Sequence, residues 1–231
     1  MSTVRNRQKT SEPNGTSSAG AAVEYLNNHF NLVREFHLAD FLTLSNGVCG
    51  TGSIFASMSY LADRDISFLW VALLLIPLGT FFDVMDGRVA RWRKKSSLLG
   101  QELDSLADLI SFGVAPAVLG FTLGLRSMPD ILVLLYFVSC GIARLARYNA
   151  TVASLPKDET GKVKYFEGTP IPTSLVITGY LGYLIYLGDF ETSLPGGVVG
   201  IGKFLVLHPL VLSYALSGTL MISQSVKIPK L

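Results

Sequence analysis

Apolar residues fall into six long runs along the chain, at about 39–61, 66–90, 97–124, 129–150, 170–188 and 202–223. Each is close to the ~20 residues that a helix needs to cross a bilayer. No stretch alternates with period two, and no segment repeats, so the pattern predicts helices and no sheet. Pro77 and Pro116 lie inside the second and third runs and are predicted to kink them. Such residues survive in membranes because neighbouring helices satisfy the freed backbone groups. Ahead of the runs, residues 23–37 carry Val23, Leu26, Phe30 and Val33 at helical spacing with charges between them. This reads as an amphipathic helix on the membrane surface, or equally as a surface helix packed on protein. Residues 1–22 are polar and read as a disordered cytoplasmic tail, neither signal peptide nor span. The expected fold class is therefore all-α: a polytopic membrane protein with six transmembrane helices and an N-terminal amphipathic surface helix. Residues 38–231 form the membrane domain.

Composition agrees with this. Of 231 residues, 49% are hydrophobic and 16% charged, where soluble domains carry about 25% charged residues. Mean hydropathy is +0.43. Net charge is only +2, so placement matters more than the total. With six spans both termini share one side. Of the 19 lysines and arginines, only Arg64, Arg126 and Lys203 fall in loops on the other side. The positive-inside rule then puts the rich side in the cytoplasm. The glycosylation-type triplets at Asn14 and Asn149 also fall on that side and are expected to be unused. Cys49 and Cys140 lie in apolar runs without metal-type spacing and read as small buried hydrophobes.

One stretch breaks the apolar pattern: "DVMDGRVARWRKKSSLLGQELDSLADL", residues 83–109. Asp83 and Asp86 are three apart and share a helix face, which Gly87, Ala90 and Arg91 continue. Ser97, Gly100, Asp104 and Asp108 recur at spacings of three and four on the next helix. If the two helices pack together, four carboxylates converge on one volume. They cannot all stay ionised there without compensation. A pair of divalent cations supplies it, and magnesium or manganese suits an all-oxygen site. Two such ions can clamp the attacking and leaving oxygens of a phosphoryl displacement, while Arg91 meets phosphate charge. The small Gly87, Ala90 and Gly100 leave room for a ligand against the backbone. The plainer alternative is that these acids pair with nearby arginines, but an intramembrane acid reads by default as functional.

The stretch resembles the signature of the CDP-alcohol phosphatidyltransferase family, D-x-x-D-G-x-x-A-R-x8-G-x-x-x-D-x-x-x-D. Every fixed position matches: Asp83, Asp86, Gly87, Ala90, Arg91, Gly100, Asp104 and Asp108. The resemblance implies a six-helix membrane enzyme that moves a phosphatidyl group from a CDP-linked lipid to an alcohol and releases CMP. It implies two Mg2+ or Mn2+ ions on Asp83, Asp86, Asp104 and Asp108, with Asp108 also the general base. It also implies a CDP-diacylglycerol site that includes Gly87, Ala90, Arg91, Ser97 and Gly100. Thr43 and Asn46, in "LTLSN" of the first run, are further candidates for facing the nucleotide. Helix packing polarity explains those two nearly as well.

The acceptor is read from the rest of the chain. Arg144 and Arg147 end the fourth run three residues apart, where arginines need an anion or snorkel to lipid phosphates. The following loop brings Tyr165, Phe166, Glu167 and Gly168. An arginine suits a carboxylate and Glu167 suits an ammonium group, so together they fit a zwitterionic amino acid. "HLADFLTLSNGVCG", "CGIARLARYN", "KYFEGTPIPT" and "SVKIPKL" resemble the fungal-type phosphatidylserine synthases within the family. There the arginine and aromatic of "ARYN", here Arg147 and Tyr148, are thought to hold serine. The expected reaction transfers a phosphatidyl group from CDP-diacylglycerol to L-serine. The expected setting is the endoplasmic reticulum membrane, as a homodimer facing the cytoplasm and binding no nucleic acid. Rivals are the same chemistry with inositol or glycerol 3-phosphate, and a divalent-cation transporter.

Overall fold

The computed structural model describes residues 38–93, 98–154, 165–191, 193–201, 205–223 and 227–229. The predicted tail (1–22) and surface helix (23–37) lie outside the described residues. The chain opens with a helical hairpin, α1 (Leu38–Asp63) and α2 (Ile66–Arg93). Arg64 takes a left-handed turn at φ 59°, and Asp65 caps α2 by accepting the Ser67 backbone N–H at 2.9 Å. That bond and the Ser67 hydroxyl hold the Asp65 carboxyl below its usual pKa. Small residues let the two helices close on each other: Ser53 Oγ donates to the Ala72 carbonyl at 2.8 Å.

The third run is one continuous helical rod with an irregular middle. α3 (Leu98–Asp108) passes through a π-helical turn (Leu109–Val114) into α4 (Ala115–Thr122). Pro116 stands in the first turn of α4, where its missing N–H costs little. α2 runs helical through Pro77. α5 (Met128–Ser154) follows, then a 3-10 turn (Ile171–Thr173) leading into α6 (Ser174–Leu187), and finally α7 (Val211–Ile222).

Leu69, Ala72 and Ile76 of α2 are buried, as are Phe112, Ala115 and Leu119 of the rod. Phe137 of α5 meets Tyr214 of α7 edge-on at 5.3 Å, and Tyr214 donates to the Pro116 carbonyl at 2.8 Å. Large apolar side chains also face outward, among them Phe55, Leu74, Phe81, Leu132 and Val176. Burying apolar residues inside while exposing others is what a lipid-facing bundle does. This is an all-α integral membrane protein.

Two expectations need correction. The prediction of no strands fails in a small way. Three-residue strands β1 (Tyr165–Glu167) and β4 (Lys227–Pro229) pair antiparallel, as do β2 (Val199–Ile201) and β3 (Leu205–Leu207). The six runs are also unequal. Among the described residues, three helical stretches are long and apolar enough to cross a membrane: Ile66–Val89, Leu99–Thr122 and Met128–Ala150. The fifth and sixth runs form shorter apolar helices, because β3 occupies the start of the sixth. α1 has the length but buries Asp40, Thr43, Asn46, Ser53 and Ser57 on its inner side.

Candidate active site

The four aspartates sit on the last turns of α2 and the length of α3. Asp83, Asp104 and Asp108 each offer a carboxylate oxygen, and these atoms lie within 4.8 Å of one another. Asp86 is buried beside them and accepts the Thr43 hydroxyl at 2.6 Å. Asp108 Oδ1 accepts Asn46 Nδ2 at 3.1 Å. One turn of α1 thus supplies a neutral donor to an acid on each of the next two helices. Among the described residues, no ion pair reaches any of the four.

The donor set suits a hard divalent cation, since every candidate ligand is a carboxylate oxygen. Among the described residues, Asp104 Oδ1 is buried with no hydrogen-bond partner, which a buried acceptor rarely tolerates. A bound cation would satisfy it. At Gly87 a Cβ would meet nothing within 4 Å, so the backbone beside Asp86 fronts open space. The residues present therefore fit a metal site, with open space beside Gly87.

Local packing explains why the acids hold these positions. The π turn starts directly after Asp108 and buries Ser111, whose hydroxyl donates to the Asn46 carbonyl at 2.9 Å. π turns add a residue to the helical ladder and often mark functional positions. Gly50 admits this turn, because a Cβ there would lie 2.7 Å from the Ser111 Cα.

A cavity of about 380 Å³ opens from the acids. It is lined by Asp104, Ser105 and Asp108 of α3, Arg144, Leu145 and Tyr148 of α5, and Gly168, Pro170 and Pro172 after β1. Gly168 requires its φ of 80° and its bare Cα, since a Cβ would lie 2.3 Å from the Met221 carbonyl. The loop is thereby pressed onto the end of α7. Ser105 and Asn149 join the two main walls at 3.1 Å, and Asn149 also donates to Glu102 at 3.3 Å.

The two arginines, expected to act together, go to different neighbours. Arg144 lines the cavity with Asp108 and makes no hydrogen bond or ion pair with the described residues. Arg147 donates to the Ile222 carbonyl of α7 at 3.3 Å. Glu167 takes part in β1 opposite Lys227. Arg91 is exposed and its Nε donates to the Gly87 carbonyl at 2.9 Å, on the Asp86 side of α2. Ala90 continues α2, and Gly100 lies in the first turn of α3. Ser97 lies outside the described residues. Sequence reasoning missed the Ser105–Asn149 bond that ties the walls; a polar pair on two helices carries no signal until the helices are seen side by side.

The CDP-alcohol phosphatidyltransferase family model matches residues 36–215. A CDP-diacylglycerol–serine O-phosphatidyltransferase of Saccharomyces cerevisiae is 47% identical over 203 residues, covering 87% of this chain and 74% of the relative. A protein of the same name from Bacillus subtilis is 35% identical over 133 residues, 57% of this chain and 67% of that one. An archaetidylserine synthase of Methanothermobacter thermautotrophicus is 37% identical over 173 residues, 74% of this chain and 66% of the relative. The chain belongs to the CDP-alcohol phosphatidyltransferase family.

Proposed function

We propose that this protein transfers the phosphatidyl group of CDP-diacylglycerol to the hydroxyl of L-serine, giving phosphatidylserine and CMP. The observation that carries the reading is one cavity with Asp104 and Asp108 on one wall and Arg144 on the other. A site that activates a hydroxyl thus faces a cation suited to a carboxylate. The similarity to the Saccharomyces cerevisiae serine O-phosphatidyltransferase over 87% of the chain supports the same acceptor.

Asp83, Asp86, Asp104 and Asp108 would hold two divalent cations, Mg2+ or Mn2+. Bound there, such ions supply positive charge to the attacking and leaving oxygens of a phosphoryl displacement. The chain's own residues do the rest. Asn46 occupies Oδ1 of Asp108, which leaves Oδ2 to accept the serine hydroxyl proton. As that O–H bond breaks, the serine oxygen bonds to the phosphorus that carries diacylglycerol. The bond from this phosphorus to the CMP oxygen breaks, and CMP leaves with the electron pair. No covalent enzyme intermediate is needed. Arg144 pairs with the serine carboxylate and holds the hydroxyl toward Asp108. Tyr148 walls the same cavity, Arg147 of α5 reaches the Ile222 carbonyl of α7 beside it, and Glu167 in β1 directly precedes Gly168 of the lining. Gly87, Ala90, Arg91 and Gly100 form the CDP-diacylglycerol side, where glycine brings backbone close to phosphate. The strong cationic bias of one side supports an active site facing the cytoplasm. The endoplasmic reticulum and a homodimer complete the reading.

Release of CMP by purified protein from CDP-diacylglycerol, with serine, inositol and glycerol 3-phosphate compared at equal concentration, tests it. Serine should be the preferred acceptor by at least about tenfold in kcat/KM, the worth of one good charged contact. Equal or greater use of inositol or glycerol 3-phosphate would overturn the acceptor.

A further inference from the structure

Asn46 is wholly buried, and three elements fix it. Its Nδ2 donates to Asp108 on α3. Its backbone carbonyl accepts the Ser111 hydroxyl from the π turn. On the α2 side, a Cβ at Gly79 would lie 2.8 Å from Asn46 Oδ1, so glycine is what leaves the amide its space. Gly50 does the same for Ser111, whose Oγ would lie 2.4 Å from a Cβ there. Two glycines on different helices are thus spent on seating one asparagine and the serine that braces it.

We propose that Asn46 is a positioning residue for Asp108, and not a contact to the nucleotide. With no exposed surface, it has no face to offer the donor substrate. What it offers is a single N–H aimed at one oxygen of the acid that takes the proton. A neutral amide suits that task. It fixes the carboxylate's rotation without bringing a positive charge that would compete with bound cations. The Ser111 bond ties the same asparagine to the π turn that follows Asp108, so acid and donor are held in one frame. Fixing Oδ1 leaves Oδ2 as the oxygen presented to the cavity. A carboxylate free to rotate would spend most of its time misaligned, which lowers turnover without weakening substrate binding.

The proposal rests on Asp108 as the base, so Asp108→Asn is measured beside it. Asn46→Ala and Asn46→Leu remove the N–H, the second while filling most of the space. Gly79→Ala keeps Asn46 but presses on its amide. All three should lower kcat, the first two by about ten- to a hundredfold, the scale of one hydrogen bond to a charged group. KM for CDP-diacylglycerol and for serine should stay within about twofold, as for an interaction that acts on the transition state alone. Affinity for CMP, read by calorimetry on the purified protein, should also be unchanged. Wild-type kcat in both Asn46 variants would overturn the proposal. So would a loss confined to the KM for CDP-diacylglycerol or to CMP affinity, which would make Asn46 a nucleotide contact. If the Asn46 variants unfold, Gly79→Ala decides: lowered kcat with unchanged KM supports the proposal, and wild-type kcat overturns it. Near-normal turnover in Asp108→Asn would instead remove the base itself.

Discussion

The two ends of this bundle treat their acids in opposite ways. At the end where α1 turns into α2, Glu191 receives Arg64, Arg126 at 3.3 Å and the Tyr60 hydroxyl at 3.4 Å. Nearby, Asp130 is wholly buried and pairs with His208 Nδ1 at 2.6 Å, while also accepting the His208 and Ser127 backbone N–H groups. These carboxylates have every partner they need. They tie loops to helix ends: Glu191 sits at φ 58°, and its own N–H donates to the Leu123 carbonyl at 2.7 Å. At the other end, roughly 25 Å along α2 at 1.5 Å per residue, Asp83, Asp104 and Asp108 face one another. Among the described residues, the hydrogen bond they receive is neutral, from Asn46 to Asp108, and Asp104 Oδ1 has none. An acid that already has a cation is a strut. Acids gathered without one are costly to fold and make sense when something positive arrives later.

The contrast can be broken by mutation, starting with the largest effect. Asp108→Asn keeps the shape and loses the proton acceptor; we expect kcat to fall by about 10²–10⁴ with CDP-diacylglycerol binding largely intact. Single-turnover and binding measurements on the same preparation check this, and near-normal turnover at saturating substrate would contradict it. Arg144→Ala should raise the KM for serine by about ten- to a hundredfold while changing that for CDP-diacylglycerol much less. Arg144→Lys should rescue only part of the loss, because the planar two-pronged donor is gone. Arg147→Ala should move the serine KM less than Arg144→Ala, since its guanidinium is already turned to the Ile222 carbonyl. The reverse order in steady-state kinetics would exchange their roles. The smallest effect belongs to the opposite end. Glu191→Gln should cost about 1 kcal/mol of stability, as partly exposed ion pairs do, and leave kcat and both KM values unchanged. A thermal unfolding series with parallel assays would show it; a large loss of activity in a folded variant would mean that the two ends are coupled.

Spacing along one helix was readable from sequence; rotation between helices was not. Asp83 with Asp86, and Asp104 with Asp108, announce shared faces by their separations of three and four, and the small residues beside them announce room for a ligand. That Thr43 would meet Asp86, or Asn46 meet Asp108, depends on how α1 turns against its neighbours. The π turn after Asp108 was hidden for the same reason: "LISFGV" is apolar whichever ladder it adopts. Arg144 and Arg147 are one turn apart, yet one faces the cavity and the other α7, because two neighbours meet α5 at that level. The run at 202–223 looked like one span because β3 is as apolar as a helix. Only Pro209, just before α7, hints that the helix starts late. The clamp around Glu191 joins residues 64, 126 and 191, which no local pattern connects.

Whether the unpaired acids hold a catalytic metal is tested most directly by CMP release from CDP-diacylglycerol and serine in purified protein stripped with a chelator. We expect no turnover in metal-free buffer and recovery when Mg2+ or Mn2+ is added back, with Asp83→Asn needing more metal for the same rate. Full turnover after stripping would contradict it, and would leave the four aspartates without the partner their arrangement requires.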